Sequence, residues 1–99
     1  MKTKKEGKYC IIRSNGSGVW AATVKELDGD TVLLSGARRI WYWSGAATLS
    51  QLAKEGVKHP NQCKFPVEVD EVMVFNVIEI IDVTDAARQN IAEVPIWTA

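Results

Sequence analysis

The sequence predicts a small α+β fold, in which a mainly antiparallel β-sheet of about four strands carries two short helices in the order β-β-β-α-β-α. Short segments rich in β-branched and aromatic residues begin near the N-terminus and recur around residue 75. Clusters of glycine, asparagine and aspartate separate the first three segments, which is typical of hairpin turns. Thr48 and Thr84 each precede a short segment with the apolar spacing of a helix.

Length and composition indicate one globular domain. The chain has 99 residues, of which 46% are apolar and 24% are charged, and these values are ordinary for a globular protein with one hydrophobic core. We therefore expect residues 1–7 to form a flexible basic tail and residues 8–99 to form a single compact domain. No apolar segment of signal-peptide type follows the basic residues, which predicts a cytoplasmic protein.

The charge balance bears on the class of ligand. Twelve lysines and arginines are matched by twelve aspartates and glutamates, whereas non-specific nucleic-acid binding depends on an excess of positive charge. Nucleic acid is therefore a disfavoured partner, and only a local basic site is expected. The longest apolar run, residues 72–81, contains Asn76 and Glu79 and is too short to cross a bilayer, so no membrane partner is expected.

The first three strands are predicted in the N-terminal half. The first is KYCIIRS, followed by a hairpin turn at NGSG and a second strand at GVWAATVKEL. A turn at DGD leads into TVLLSGARRIWYW, where Gly36 predicts a bulge because glycine permits an unpaired position. Beyond Gly36, two-residue alternation divides the arginines and large side chains between the two faces. One face receives Arg39, Trp41 and Trp43, and the other receives Arg38, Ile40 and Tyr42.

The two helices and the last strand follow from capping and periodicity. Thr48 and Gln51 match a capping box, which predicts a short helix that ends at Gly56. The segment EVMVFNVIEIIDV, residues 71–83, is apolar on both faces, so we expect one strand in the sheet centre. Thr84 is then expected to cap a last helix, DAARQNIAEV, which docks on the sheet and stops before Pro95.

The segment ARRIWYWSGAATLSQLA, residues 37–53, permits two interpretations. In one, its tryptophans fill core or interface volume while its arginines extend to solvent or pair with carboxylates. In the other, flat rings stack on a base, arginines bind phosphate oxygens and a helix start offers backbone N–H groups. The candidate ligand-binding residues are Arg38, Arg39, Trp41, Tyr42, Trp43, Ser44, Thr48 and Gln51, with Arg13 beside the glycine-rich turn as a further anion contact.

Residues suited to catalysis or metal binding are sparse. The single histidine, His59, precedes Pro60 in a predicted loop, and no serine or cysteine stands in a recognisable nucleophile motif. Cys10 and Cys63 form no CxxC motif, and Cys10 is expected to be a buried free thiol. The sequence therefore predicts a protein that is not an enzyme and that uses neither a metal nor a cofactor.

Three segments, SNGSGVWAATV, ARRIWYWSGAATLSQLA and VIEIIDVTDAARQNIAEVPIW, carry a resemblance that runs from Arg13 to Trp97. They resemble a family of small phage-encoded proteins with a domain-of-unknown-function label, which is similar to the first-described type of Thoeris anti-defence (Tad) protein. The resemblance implies a sponge that binds a cyclic ADP-ribose isomer made by a bacterial TIR-domain immune enzyme and holds it intact. Some similar proteins also bind cyclic oligonucleotides.

The same resemblance implies dimers or higher assemblies, with ligand near subunit boundaries, in the cytoplasm of the infected bacterial host. Under this hypothesis one of Trp41, Tyr42 and Trp43 stacks on the base, and Arg38 or Arg39 binds the pyrophosphate. The polar residues Ser44, Thr48 or Gln51 contact the riboses.

The residues are also compatible with two other functions. Exposed Trp41 or Trp43 would suit a module that binds a host protein, since tryptophan and arginine are enriched at interface hot spots. A row of aromatic rings would also suit a binder of single-stranded nucleic acid, whose affinity should fall steeply with added salt.

Overall fold

Five strands and two α-helices make up the fold in a computed structural model that describes residues 4–98. They are β1 Tyr9–Ser14, β2 Gly18–Asp28, β3 Thr31–Arg39, α1 Leu49–Glu55, β4 Val69–Val74, β5 Val77–Asp82 and α2 Asp85–Glu93, with a 3-10 turn at Pro60–Gln62. The five strands pair antiparallel in one sheet, in the spatial order β4-β3-β2-β1-β5. The predicted fold class is confirmed, with five strands rather than four and the order β-β-β-α-β-β-α.

The prediction of one central strand over residues 71–83 is wrong. Two strands, β4 and β5, occupy this segment because the chain turns at Phe75 and Asn76, where Asn76 has a φ of 57°. These strands form the two edges of the sheet. The strand that is buried on both faces is β1, whose Cys10, Ile11 and Ile12 are fully buried.

The short β4–β5 connection requires the sheet to curl. Adjacent strands lie about 4.8 Å apart, so the edges of a flat five-stranded sheet would be about 19 Å apart. The step from Val74 to Val77 spans at most about 10 Å. The sheet therefore curls until its two edge strands meet at the β4–β5 turn. Two backbone hydrogen bonds hold this turn: Val77 N donates to Asp30 O and Asn15 N donates to Asn76 O, both at 2.9 Å.

The curled sheet separates two apolar clusters. The inner cluster lies within the curl and contains Cys10, Ile12, Trp20, Ala22, Val24, Val32, Leu34, Ala37 and Val74. The second cluster lies between the outer face of the sheet and the helices, and contains Ile11, Ala21, Ile40, Leu52, Ala53, Val57, Cys63, Phe65, Ile91 and Val94. We call this outer surface the helix-covered face. Alternate residues of β1 supply the two clusters, as expected for a strand.

The predicted bulge at Gly36 is confirmed. Between the pairs Ala21–Arg38 and Thr23–Ser35, β3 contains one residue more than β2, and Gly36 has a φ of 55°. The extra residue changes the alternation, so that Ser35 and Arg38 share the helix-covered face. The bulge thus determines which arginine faces which side of the sheet.

Helix boundaries follow the predicted caps. Thr48 Oγ1 accepts from Gln51 N at 3.1 Å, and α1 ends at Gly56 with a φ of 80°. Thr84 Oγ1 accepts from Ala87 N, also at 3.1 Å. Within residues 4–98, neither helix is long and apolar enough to cross a membrane.

Part of the predicted N-terminal tail, residues 1–3, lies outside the described residues. In the rest, Lys5 Nζ donates to Asp82 Oδ1 at 2.8 Å, and Gly7 N donates to Val24 O at 2.7 Å. These contacts connect residues 4–7 to β5 and β2.

Candidate functional site

Arg38 and Arg39 leave β3 on opposite faces of the sheet, as the alternation predicts. Arg38 pairs in register with Ala21, which belongs to the helix-covered face. Arg39 pairs with Trp20, which belongs to the inner cluster. Each arginine therefore faces a different cavity.

Arg38 connects the C-terminal end of α2 to the sheet through hydrogen bonds. Its side chain is buried, and its Nε donates to Pro66 O at 3.0 Å. Its Nη groups donate to the carbonyl oxygens of Phe65, Ile91, Val94 and Pro95 at 2.7 to 3.1 Å. Burial lowers the pKa of the Arg38 guanidinium. The carbonyl oxygens at the helix end carry partial negative charge and stabilise the cation.

Arg39, Trp41 and Trp43 line one cavity together with the glycine-rich turn. This cavity, which we call the Arg39 cavity, has a volume of about 260 Å³. Its lining is Gly16, Ser17, Gly18, Val19, Arg39, Ile40, Trp41 and Trp43. Two segments about twenty residues apart in sequence thus meet at one site.

The Arg39 guanidinium is positioned from two sides. Its Nη1 donates to Ser17 O at 2.6 Å, and its Cζ lies 4.0 Å from the centroid of the Trp20 ring. Among the described residues, its Nε and Nη2 groups make no hydrogen bond, so these donors remain for a ligand. Gly18, with a φ of 83°, lies close enough that a Cβ there would be 3.9 Å from Arg39 Nη1.

The two tryptophans of the cavity differ in environment. Trp43 is half-buried against the helix-covered cluster, and its Nε1 donates to Ala46 O at 3.2 Å. Trp41 is 64% exposed. A fixed ring and an open ring therefore line the same cavity as the guanidinium, and such a lining can stack on a flat ligand and bind its negative charge.

The other predicted ligand residues lie outside the Arg39 cavity. Tyr42 is exposed beside Lys64, whose Nζ is 5.9 Å from the Tyr42 ring centroid. Ser44 Oγ lies 3.2 Å from His59 Nδ1. Arg13 Nε donates to Glu79 Oε1 at 3.0 Å.

Thr48 and Gln51 serve the first turn of α1. The Thr48 hydroxyl caps the helix, and Gln51 Oε1 accepts from Ala47 N at 2.8 Å. Both side chains therefore have local structural partners, which explains their spacing in the sequence without a ligand.

A second cavity is not predicted from the sequence. It has a volume of about 390 Å³ and lies between α2 and the helix-covered face, and we call it the α2 cavity. Its lining is Tyr9, Thr23, Ser35, Gly36, Arg38, Val67, Glu68, Arg88, Ile91, Ala92, Val94 and Ile96. These residues come from six segments, so no local sequence signal marks it.

The cysteines are free and buried. Burial and the nearby Asp82 carboxylate raise the pKa of the Cys10 thiol to about 11. Cys63 Sγ donates to Ser44 O and His59 O at 3.7 and 3.5 Å. Within residues 4–98, no three histidine, cysteine or acidic side chains are grouped to hold a metal ion.

The comparisons with known proteins give one family match. A family model described as Domain of unknown function (DUF6948) matches residues 7–91, which include β1 to β5 and most of α2. No curated protein and no solved structure matches the chain.

Proposed function

The chain belongs to the family of domains of unknown function DUF6948, and we propose that it is a ligand-binding protein that sequesters a cyclic nucleotide immune messenger without cleaving it. The ligand class is a cyclic ADP-ribose isomer or a cyclic oligonucleotide. The proposed setting is the cytoplasm of a phage-infected bacterium, where such a protein acts as an anti-defence sponge.

One observation carries the proposal: a guanidinium with unused donors, two tryptophan rings and a glycine-rich turn line the same cavity. A cyclic ADP-ribose isomer offers a purine, two riboses and a pyrophosphate. Trp41 would stack on the purine, and Arg39 Nε and Nη2 would donate to the pyrophosphate. The Gly16–Gly18 turn, which has no bulky side chain, lets the ligand approach the backbone.

Sequestration needs a binding surface and no reacting group. The side chains that line the Arg39 cavity include no carboxylate, histidine or cysteine, so the lining supplies no general acid or base of the usual kinds. This lining favours a ligand that leaves the cavity chemically unchanged.

A second subunit would complete the site. The cavity volume of about 260 Å³ lies just below the range of about 300–1,000 Å³ that is usual for small-molecule sites. Trp41, 64% exposed, lies at its border and would be covered by a neighbouring chain. We therefore propose a homo-oligomer, dimeric or larger, with the ligand held at the subunit boundary.

The test is a binding screen with matched variants. Calorimetry and thermal unfolding would be measured with cyclic ADP-ribose isomers and with cyclic di- and trinucleotides. A ligand at one thousand times its Kd should stabilise the folded state by about 4 kcal/mol. Arg39→Gln and Trp41→Ala should abolish this effect. Lys25→Gln and Phe75→Ala are the controls, because they change an exposed cationic and an exposed aromatic side chain outside the cavity.

Chromatography of the ligand after heat denaturation of the complex tests sequestration. Recovery of the unmodified messenger supports the sponge. Recovery of hydrolysed product would replace the proposal with an enzyme. If no cyclic nucleotide alters the melting temperature of the wild-type chain, the proposal is overturned.

A protein-binding function has one specific observation in its favour. Trp41 and Tyr42 are 64% and 51% exposed, and such aromatic side chains are typical anchors of interfaces. This function predicts that a host protein co-purifies with the wild-type chain, that Trp41→Ala and Tyr42→Ala both release it, and that nucleotides do not compete.

A further inference from the structure

The α2 cavity contains a row of three hydroxyl groups that crosses three strands. Tyr9 of β1 pairs with Thr23 of β2, and Thr23 pairs with Ser35 of β3. Directly paired residues project from the same face of a sheet. At the usual strand spacing, the Cα atoms of the three residues span about 10 Å. Among the described residues, none of the three side chains makes a hydrogen bond within the chain.

Opposite charges lie at the two ends of this row. At the β1 end, the Arg88 guanidinium of α2 lies over Tyr9, with Cζ 4.5 Å from the ring centroid. At the β3 end, the Glu68 carboxylate lies against Gly36, where a Cβ would be 2.9 Å from Glu68 Oε1. Neither charge forms an ion pair among the described residues.

A buried cation gives the cavity an excess of positive charge. The Arg38 guanidinium is 6% exposed, and its hydrogen-bond acceptors are neutral carbonyl oxygens. With Arg88 and Glu68, the lining therefore carries two cations and one carboxylate. Arg88 and Glu68 are exposed and reach solvent, whereas the charge of the buried Arg38 is screened less by solvent. An anionic group should enter at the Arg88 end.

We propose that the α2 cavity is a second ligand site, independent of the Arg39 cavity, and that it binds a pentose phosphate. Arg88 would bind the phosphate, as guanidinium groups commonly do. The hydroxyls of Tyr9, Thr23 and Ser35 would donate to and accept from the sugar hydroxyls. Glu68 would accept from a pair of sugar hydroxyls at the far end, the role that acidic residues have toward ribose in dinucleotide sites.

The opposite wall of the cavity favours a sugar over a nucleotide base. It is formed by the aliphatic side chains of Val67, Ile91, Val94 and Ile96. The single aromatic ring of the lining, Tyr9, has Arg88 against it. A base would therefore find no open ring on which to stack, whereas the C–H groups of a sugar can pack against an aliphatic wall.

The experiment is calorimetric titration with four probes: ribose 5-phosphate, ribose, inorganic phosphate and adenosine monophosphate. We expect ribose 5-phosphate to bind more tightly than each of the other three. Arg88→Gln should weaken its binding about tenfold or more, because a charge-assisted hydrogen bond is lost. Ser35→Ala and Glu68→Gln should each weaken it severalfold. Lys25→Gln, which removes an exposed cation outside the cavity, should leave the affinity unchanged.

Each other outcome overturns part or all of the proposal. Equal binding of inorganic phosphate and ribose 5-phosphate would show an anion site without sugar recognition. Tighter binding of adenosine monophosphate would assign the site to nucleotides. Absence of ribose 5-phosphate binding at millimolar concentration to a wild-type chain with a cooperative unfolding transition would overturn the site itself. Because Arg39→Gln leaves the α2 cavity intact, that variant should bind ribose 5-phosphate normally, which separates this site from the Arg39 cavity.

Discussion

The guanidinium of Arg39 lies over the indole ring of Trp20, with Cζ 4.0 Å from the ring centroid. Trp20 is buried at 6% exposure, and its Nε1 has no hydrogen-bond partner in the described chain. The arginine therefore covers one end of the inner cluster while its remaining donors face the Arg39 cavity. Core packing and the proposed ligand site share this one side chain.

This stacking should be measurable as a coupling energy. A double-mutant cycle with Arg39→Gln and Trp20→Leu, followed by urea unfolding, is expected to give a coupling of about 1 kcal/mol, typical of a partly desolvated cation–π contact. A coupling near zero would contradict the stacking. The same measurement shows whether Arg39→Gln remains folded for the ligand screen.

Arg38→Ala should be far more destabilising than removal of an exposed arginine. It leaves several carbonyl oxygens at the end of α2 without a donor, and we expect a loss of about 3–5 kcal/mol in the free energy of unfolding. Arg13→Ala, which breaks an exposed ion pair with Glu79, should cost about 1 kcal/mol or less. Urea unfolding of both variants checks the difference, and equal effects would refute the structural role of Arg38.

Gly45→Ala tests a close approach of two backbone segments. Gly45 has a φ of 97°, and a Cβ there would collide with Lys58 N and lie 2.7 Å from His59 N. Because backbone must move to admit the methyl group, we expect a loss of about 4 kcal/mol or an unfolded chain. Gly16→Ala has a comparable φ of 106° with no atom within 4 Å, so it should cost only about 1–2 kcal/mol. Thermal and urea unfolding distinguish the two.

The Cys10 thiol should make the stability depend on alkaline pH. Burial raises the pKa of Cys10 from 9.0 to about 11 in the folded chain. Between these values the unfolded chain releases a proton that the folded chain retains. The contribution of the Cys10 thiol to the free energy of unfolding is therefore complete below pH 9 and falls as the pH rises toward 11. We expect a loss on the order of 2 kcal/mol over this interval. The loss should be absent from Cys10→Ala, and a parallel pH profile of the two chains would contradict it.

Thr84 should couple the two helices. Its Oγ1 accepts from Ala87 N at 3.1 Å and donates to Lys54 O at 2.7 Å, which caps α2 and satisfies a carbonyl at the end of α1. Thr84→Val, which keeps the shape and loses the hydroxyl, should cost about 1–2 kcal/mol. Thr84→Ser retains both bonds and should stay within about 0.5 kcal/mol of the wild-type chain. Equal losses of stability in the two variants would show that the Thr84 hydroxyl does not stabilise the fold.

The site was only partly predictable. Arg39, Trp41 and Trp43 do line one cavity, but the predicted alternation along one strand as far as Trp43 is wrong. The strand β3 ends at Arg39, and Trp43 packs against the helix-covered cluster. The meeting of these side chains with the Gly16–Gly18 turn depends on the pairing of β2 with β3, which places Arg39 beside Trp20. The α2 cavity was not predicted, since its hydroxyl row exists only through cross-strand register.

The sequence by itself determined the local features: the caps at Thr48 and Thr84, the first two turns, the bulge at Gly36 and the α+β class. Each depends on conformational preferences within a few neighbouring residues. Tertiary structure alone decided that residues 71–83 divide into the two edges of a curled sheet, that Arg38 serves the end of α2, and that two cavities form. These depend on which distant segments meet when the sheet curls, and this curling is a property of the whole chain.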